Sequence, residues 1–303
     1  MNKIKSILSI NDLEKFTGIK SHTIRVWEKR YNVFEPKRDK NNVRIYEISD
    51  LKKLINISLL IENGNKISRI TKFSEKQIEI EVNNITKKIE NFSVNSFKIA
   101  MLNFDYDLFN KTYKNLTNKL DFIEIYTTVF VPLLNEVGFL WHTNSINPSH
   151  EHFVSEIIKQ KIIINIDKIQ EKEKRTKSES SVFIVFLPEN EIHEIGALFI
   201  HYLLLLNKKN SIYIGTSIET KDLQSFNNKH DNIIFVGYFT VEPSTDLIKD
   251  YFLNFETQIL KNNCKLVITG SKSKDIEQKI KSDKIIVIEN LNIFIETIEC
   301  LKH

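Results

Sequence analysis

The sequence predicts a multidomain α and α/β protein: an N-terminal winged helix-turn-helix, a helical bundle, and a C-terminal Rossmann-like parallel sheet with helices on both faces. Three observations lead there. Residues 1–75 concentrate positive charge, 16 Lys and Arg against 9 Asp and Glu, a net of +7 against −3 for the rest. Residues 76–174 carry apolar side chains at helical spacing without a strand-like run bounded by Gly and Pro. Residues 180–303 alternate short β-branched runs with helical stretches, the pattern of a parallel sheet.

Composition narrows the class. With 303 residues, 41% hydrophobic and 27% charged, the chain can build two or three cores and is neither fibrous nor disordered. Cys264 and Cys300 have no paired-thiol spacing, which argues against a disulfide framework or zinc cluster and for a reducing cytoplasm. The N-terminal stretch lacks a long apolar leader, and the apolar run ending at Leu206 is too short for a bilayer, so a cytoplasmic protein without membrane contact is expected.

In the basic segment, Ser9 to Asp12 supply cap residues before Leu13, Phe16 and Ile19, and Gly18 is placed to end a short helix. Ser21 is expected to cap a second helix in which Ile24, Trp27 and Tyr31 share one face. Two short helices about a Gly-containing turn form a helix-turn-helix candidate. Pro36-Lys37-Arg38, the polar tip Asp39 to Asn42, and the alternating Val43-Arg44-Ile45-Tyr46 read as a basic wing. Ser49 is expected to start a third helix ending near Gly64, with a fourth beginning at Ile67 and Ile70.

The pattern Thr23-Ile24-Arg25-x-Trp27-Glu28-x-Arg30-Tyr31, then Pro36-x-Arg38 and Asn41-x-x-Arg44-x-Tyr46, resembles the winged-helix DNA-binding domain of MerR-type regulators. The resemblance implies that the second helix enters the major groove of double-stranded promoter DNA. Thr23 and Arg25 would reach base edges, while Arg30, Arg38, Asn42, Arg44 and Tyr46 are candidates for backbone contacts. Trp27 is expected in the core. For Arg30, a solvated surface role and a phosphate contact are equally open.

In the middle segment, helices are expected around Phe92 to Phe104, Leu108 to Leu120, Phe122 to Leu140, and from His150 to about Ile169. Trp141-His142 and His150-Glu151-His152 bracket a polar turn. They can face one pocket, or Trp141 can pack in the core with the histidines exposed. The charged run Gln170 to Ser181 reads as a solvated helix end and linker. Strands are then expected at Val182 to Leu187, Ser211 to Ile214, Ile233 to Val236, Leu266 to Ile268 and Lys284 to Ile288, with Gly215, Gly237 and Gly270 along the rim where a ligand would lie. His193 falls in the loop after the first strand, where open α/β sheets bind ligands; a solvated or structural histidine is the bland alternative.

That loop reads Glu191-x-His193-x-x-Gly196. Behind a four-helix segment, it resembles the cobalamin-binding modules of methionine synthase type, whose typical loop has Asp in place of Glu191. The resemblance implies that His193 coordinates cobalt from below, that the carboxylate holds the other imidazole nitrogen, and that Gly196 admits the displaced nucleotide tail. With the MerR-type region in front, the order of segments is similar to that of CarH/LitR-type light-responsive repressors, whose bundle carries Trp-His and then Glu-His ten positions on. Carried over, Trp141, Glu151 and His152 would surround the upper face and adenosyl group of adenosylcobalamin, and His142 would capture cobalt after photolysis. A homo-oligomer, dimer or tetramer, and no catalysis are expected. The chain departs from the pattern at Gly237-Tyr238-Phe239-Thr240, where Ser-x-Leu is common, and at Gly270-Ser271, where Gly-Gly is common. Two alternatives remain: a DNA-binding regulator whose C-terminal half serves oligomerisation or another ligand, and a corrinoid carrier for methyl transfer.

Overall fold

A computed structural model describes residues 8–84, 89–172, 181–230, 232–261 and 263–298. Most of the expected linker and Cys300 lie outside the described residues. Two compact units divide the chain, Met1–Ile157 and Ile158–His303.

In the first unit, α1 (Ile10–Thr17) starts at a capping box between Ser9 and Asp12 and stops at Gly18, whose φ of 71° turns the chain. Ser21 is the first residue of α2 (Ser21–Tyr31) rather than its cap. The cap comes from α1: Glu14 accepts from the Ser21 backbone N–H at 2.9 Å and its hydroxyl at 2.7 Å, fixing the angle between the two helices. The wing is an antiparallel pair, β1 (Lys37–Arg38) and β2 (Arg44–Ile45). Its tip is tied by Asp39, which accepts from the N–H groups of Asn41 and Val43. Glu47 and Asp50, not Ser49, form the capping box of α3 (Ile48–Glu62). Two shorter helices follow, α4 (Ile67–Ile70) and α5 (Glu75–Asn84).

The bundle begins with α6 (Ile89–Asn103) and α7 (Tyr106–Thr117), then α8 (Phe122–Ile125) continues through a π turn at Tyr126–Phe130 into α9 (Val131–His142). The π turn has a covalent cause. Pro132 has no N–H to offer the Thr128 carbonyl, and Val131 N–H bonds instead to the Tyr126 carbonyl, five residues back. Phe97 is the packing centre, 4.3 Å from the Phe109 ring and 5.7 Å from Phe130. Among the described residues, Phe122–His142 is long and apolar enough to cross a membrane by composition; here its Val129, Phe130, Leu133, Val137 and Leu140 are buried in the bundle. The next helix, α10 (Pro148–Lys172), contains the boundary between the units.

The second unit is a five-stranded parallel sheet in the order β4-β3-β5-β6-β7. Its strands are β3 (Val182–Phe186), β4 (Asn210–Tyr213), β5 (Ile233–Tyr238), β6 (Cys264–Thr269) and β7 (Ile285–Val287). All five expected strands form. Val182, Ile184 and Phe186 pack with Phe252 and Phe255 of α13 (Ile248–Gln258) and with Ile259 just past its end on one face. Helix α11 (Ile195–Leu206) lies against β3, β4 and β5 and shares no residue with that cluster, so it covers the other face. The remaining connections carry a 3₁₀ turn at Thr220–Leu223, α12 (Gln224–Asn227), α14 (Ser273–Glu277) and α15 (Leu291–Thr297). The chain leaves β3 toward β4 and then returns to β5 on β3's other side, so the loops after β3 and β5 diverge at a topological switch point.

Phe97→Ala should lower the unfolding free energy of the first unit by about 3–5 kcal/mol, since the ring is fully buried between two others. Phe139→Ala, 55% exposed, should stay within about 0.5 kcal/mol. Denaturant unfolding of the two variants checks both.

Candidate functional site

At the switch point the organising group is a carboxylate. Glu191 is 1% exposed. Its Oε1 accepts from the N–H groups of Ile192 and His193 at 3.0 and 3.1 Å and meets His193 Nδ1 at 2.5 Å. Its Oε2 reaches the turn after β5, accepting from Thr240, Val241 and Glu242 N–H at 3.1, 2.6 and 3.1 Å. The turn after β4 joins through Ser217 N–H on the Glu191 carbonyl, 3.1 Å. Burial alone would push this carboxyl up, but the backbone donors and His193 outweigh it and hold its pKa at about 2. It is therefore ionised, and His193 donates from Nδ1.

In the neutral ring that tautomer leaves Nε2 with its lone pair, the form in which imidazole ligates a metal. The His193 side chain is 55% exposed. Ile192 before it and Val241, tied through Glu191, are 69% and 53% exposed, an apolar rim around one nitrogen ligand. Among the described residues no group of three or more His, Cys, Asp or Glu could hold a bare metal ion. A metal meeting His193 would have to bring its other ligands, as a macrocycle does.

Three residues that the motif alone does not assign complete the loop. Glu194 accepts from Lys159 Nζ at 2.5 Å and Tyr213 hydroxyl at 2.9 Å, anchoring the start of α11. Burial, then Glu194, raises the Tyr213 phenol well above its usual range. The motif Glu191-Ile192-His193-Glu194 displayed the second carboxylate, but its partners lie at distant positions.

The glycines of the rim serve different ends. Gly215, at φ 107°, has open space where a side chain would be. A Cβ on Gly196 would lie 2.0 Å from Tyr238 Cζ, so this glycine accommodates the tyrosine ring. Gly237 gives way to the Phe239 ring, and Gly270, at φ 109°, to the Phe239 backbone, 2.2 Å from the carbonyl oxygen. The residues beside Gly196 therefore fit axial ligation of cobalt but not the passage of a nucleotide tail.

In the first unit the expected bundle residues form two pairs. Trp141, 45% exposed, lies with its ring 5.0 Å from that of His142. Glu151 contacts His152 Nδ1 at 3.0 Å and accepts from Ser155 at 2.5 Å. Trp141 is a surface residue, not core. His150 parts from its neighbours: it is buried, stacked 4.7 Å from Phe104, and its Nδ1 accepts from Asn147 N–H. Burial lowers its pKa, so it stays neutral as a packing residue. The bundle is tied to the helix-turn-helix by Lys98, buried, which donates to Glu136 at 2.6 Å and to the Phe16 carbonyl at 3.3 Å. Lys15 reaches the Thr143 carbonyl at 3.2 Å, one residue past His142.

In the winged region Arg25, Arg30, Arg38 and Asn42 are exposed and Thr23 is half-buried. Arg38 braces the wing through the Asn42 carbonyl and side chain, 2.8 and 3.1 Å. Tyr46 corrects the expectation of a phosphate contact. It is 1% exposed, and its hydroxyl donates to Glu28. Burial and Glu28 raise its phenol above the usual range. Arg44 also bonds Glu28, at 3.0 Å, so this glutamate of the second helix locks the wing. Its position in the Trp27-Glu28 motif was visible; its role was not.

Residues 8–77 match the family model of MerR HTH family regulatory proteins, and residues 94–164 that of the B12 binding domain. The chain is 25% identical over 163 residues to the HTH-type transcriptional repressor CarH of Myxococcus xanthus, covering 51% of this chain and 54% of that one. It thus spans about half the length of the curated relative it matches. The monomethylamine corrinoid protein of Methanosarcina barkeri shares the fold, with a TM-score of 0.55 and 18% identity over 68% of this chain and 96% of that one. The chain joins a MerR-type helix-turn-helix to a B12-binding-type helical region, followed by a Rossmann-like parallel sheet.

The Glu191 carboxyl, held at about 2 against an ordinary 4.5, contributes stability that is present above pH 4.5 and lost as pH falls toward 2. The second unit should therefore weaken across that window, and Glu191→Gln should flatten its share of the slope, measured by denaturant unfolding at a series of pH values. An equal slope in the variant assigns the loss to other carboxylates.

Proposed function

We propose that this chain is a DNA-binding transcriptional regulator, a repressor, that senses a cobalt corrinoid through His193. The observation that carries the reading is the Glu191–His193 pair: a buried carboxylate fixes one imidazole nitrogen and presents the other on an apolar rim. The MerR-type region in front supplies the DNA-binding half, and the similarity to a CarH repressor supports the direction of control.

Each chain residue has a definable part. Glu191 orients His193; Ile192 and Val241 offer apolar surface to a flat macrocycle; Glu194, Lys159 and Tyr213 hold the loop. A bound corrinoid would supply a cobalt centre whose ligation state is the signal. Trp141, His142, Glu151 and His152 are proposed to read its upper ligand, the adenosyl group in the finer form of this reading, with light as the trigger. The Lys15–Thr143 and Lys98–Phe16 contacts connect the bundle end carrying His142 to α1, one step from the recognition helix. Repression would then depend on how the bundle holds the helix-turn-helix, in a cytoplasmic homo-oligomer.

The test titrates full-length protein with cobalt corrinoids in the dark, follows the absorption spectrum, and measures binding to DNA from upstream of its own coding sequence before and after green light. A histidine-ligated spectrum is expected in the wild type and not in His193→Ala, with DNA affinity shifted about tenfold by loading. Absence of any spectral change and any shift in DNA affinity would sink the corrinoid reading; an effect of loading without an effect of light would remove the light trigger alone. Arg25→Ala, at the exposed N-terminal part of α2, should weaken DNA binding by about 1–3 kcal/mol and lower its sequence preference.

A further inference from the structure

We propose that this module takes a corrinoid lacking its lower nucleotide, and that Tyr238 is the residue that excludes the nucleotide. The proposal deepens the His193 reading and rests on it.

Cobalt in a corrin ring has one lower axial position. In a corrinoid that carries its own base there, a protein imidazole would take the position by displacing that base, and the displaced nucleotide would have to leave on the His193 side of the ring. On that side the chain runs from His193 into Gly196 at the start of α11. A single methyl on Gly196 would already lie 2.0 Å from Tyr238 Cζ and 2.2 Å from its hydroxyl oxygen. The space a side-chain-free backbone leaves beside a sheet is filled by a phenol ring of the same chain.

The walls around Tyr238 are fastened on both sides. Glu191 takes the N–H groups of Thr240, Val241 and Glu242. The carbonyls of the same turn are taken from the β6 side: Lys272 N–H donates to Phe239 at 3.1 Å, Ser271 hydroxyl to Thr240 at 3.3 Å, and Lys272 Nζ to Val241 at 2.5 Å. Phe239 N–H closes the pair on Thr269 carbonyl at 2.8 Å. Spreading these loops for a nucleotide would break bonds in both directions, and rotating Tyr238 would strip the backbone of Gly196 of its cover. Beside His193, by contrast, Ile192 and Val241 are exposed. In this proposal the ring meets that exposed apolar rim, and the tail meets Tyr238.

Full-length protein is titrated with diaquacobinamide, which has the ring and cobalt without the nucleotide, and with aquacobalamin, by absorption and by retention through gel filtration. The wild type should bind cobinamide at least about tenfold more tightly. Tyr238→Ser and Tyr238→Leu should raise cobalamin affinity about tenfold and leave cobinamide affinity in place, while Tyr238→Phe, which keeps the ring, should keep the preference. Circular dichroism and thermal melting establish that each variant is folded. Equal binding of both corrinoids by the wild type, with a ratio unmoved in folded Tyr238→Ser and Tyr238→Leu, would overturn the exclusion and leave His193 ligation standing. Failure of both corrinoids to bind wild type and Tyr238→Ser alike would overturn the ligation reading with it.

Discussion

The second unit depends on one buried anion. Glu191 is buried away from bulk solvent, and an unpaired carboxylate in that place would cost several kcal/mol. Five backbone N–H groups and the His193 ring replace the lost hydration. The donors come from two loops that leave different strands of a switch point, so satisfying the charge forces those loops together and fixes the ring of His193 in the same act. A glutamate suits this better than the aspartate typical of the motif, because one oxygen must serve the histidine loop while the other spans to residues 240–242.

The large outlines were legible in the sequence because they rest on periodicity and turn chemistry. All five strands follow from β-branched runs of the right length, and the wing from Asp39 to Asn42 between alternating residues. What escaped was the side chain that acts far from its own position in the chain. Glu14 caps the next helix in place of Ser21, Glu28 binds both Arg44 and Tyr46 across the wing, and Lys159 reaches Glu194 over 35 positions. Tyr46 shows the same limit in reverse. Its hydroxyl and basic neighbours suit a phosphate, yet the β2 to α3 corner places it under the wing, where Glu28 is its partner. In the candidate site, Tyr238 and Phe239 stood out as bulky departures, but the approach of Tyr238 to Gly196, and of Phe239 to Gly237 and Gly270, is made only in the folded sheet.

Lys98 is the counterpart of Glu191 in the first unit. Its side chain is 6% exposed, and it spends its charge on Glu136 and on a helix-end carbonyl of α1. The Phe16 carbonyl belongs to the last turn of α1, where a cation is favoured by the exposed carbonyl groups. Glu136 is 47% exposed, so one side of this contact faces solvent. This tie between helix-turn-helix and bundle is therefore polar and open to solvent on one side, unlike the buried ring contact of Phe97 on Phe109.

The π turn at Tyr126–Phe130 has a bearing on the other end of the same helix. One additional residue in a helical turn offsets everything beyond it by about 100° around the axis. Trp141 and His142 sit three turns further along, and Pro132 is what keeps the extra residue in the turn. The compass bearing of the tryptophan and histidine is thus set by a proline nine and ten residues before them, and the helix works as a dial whose zero was chosen at Thr128.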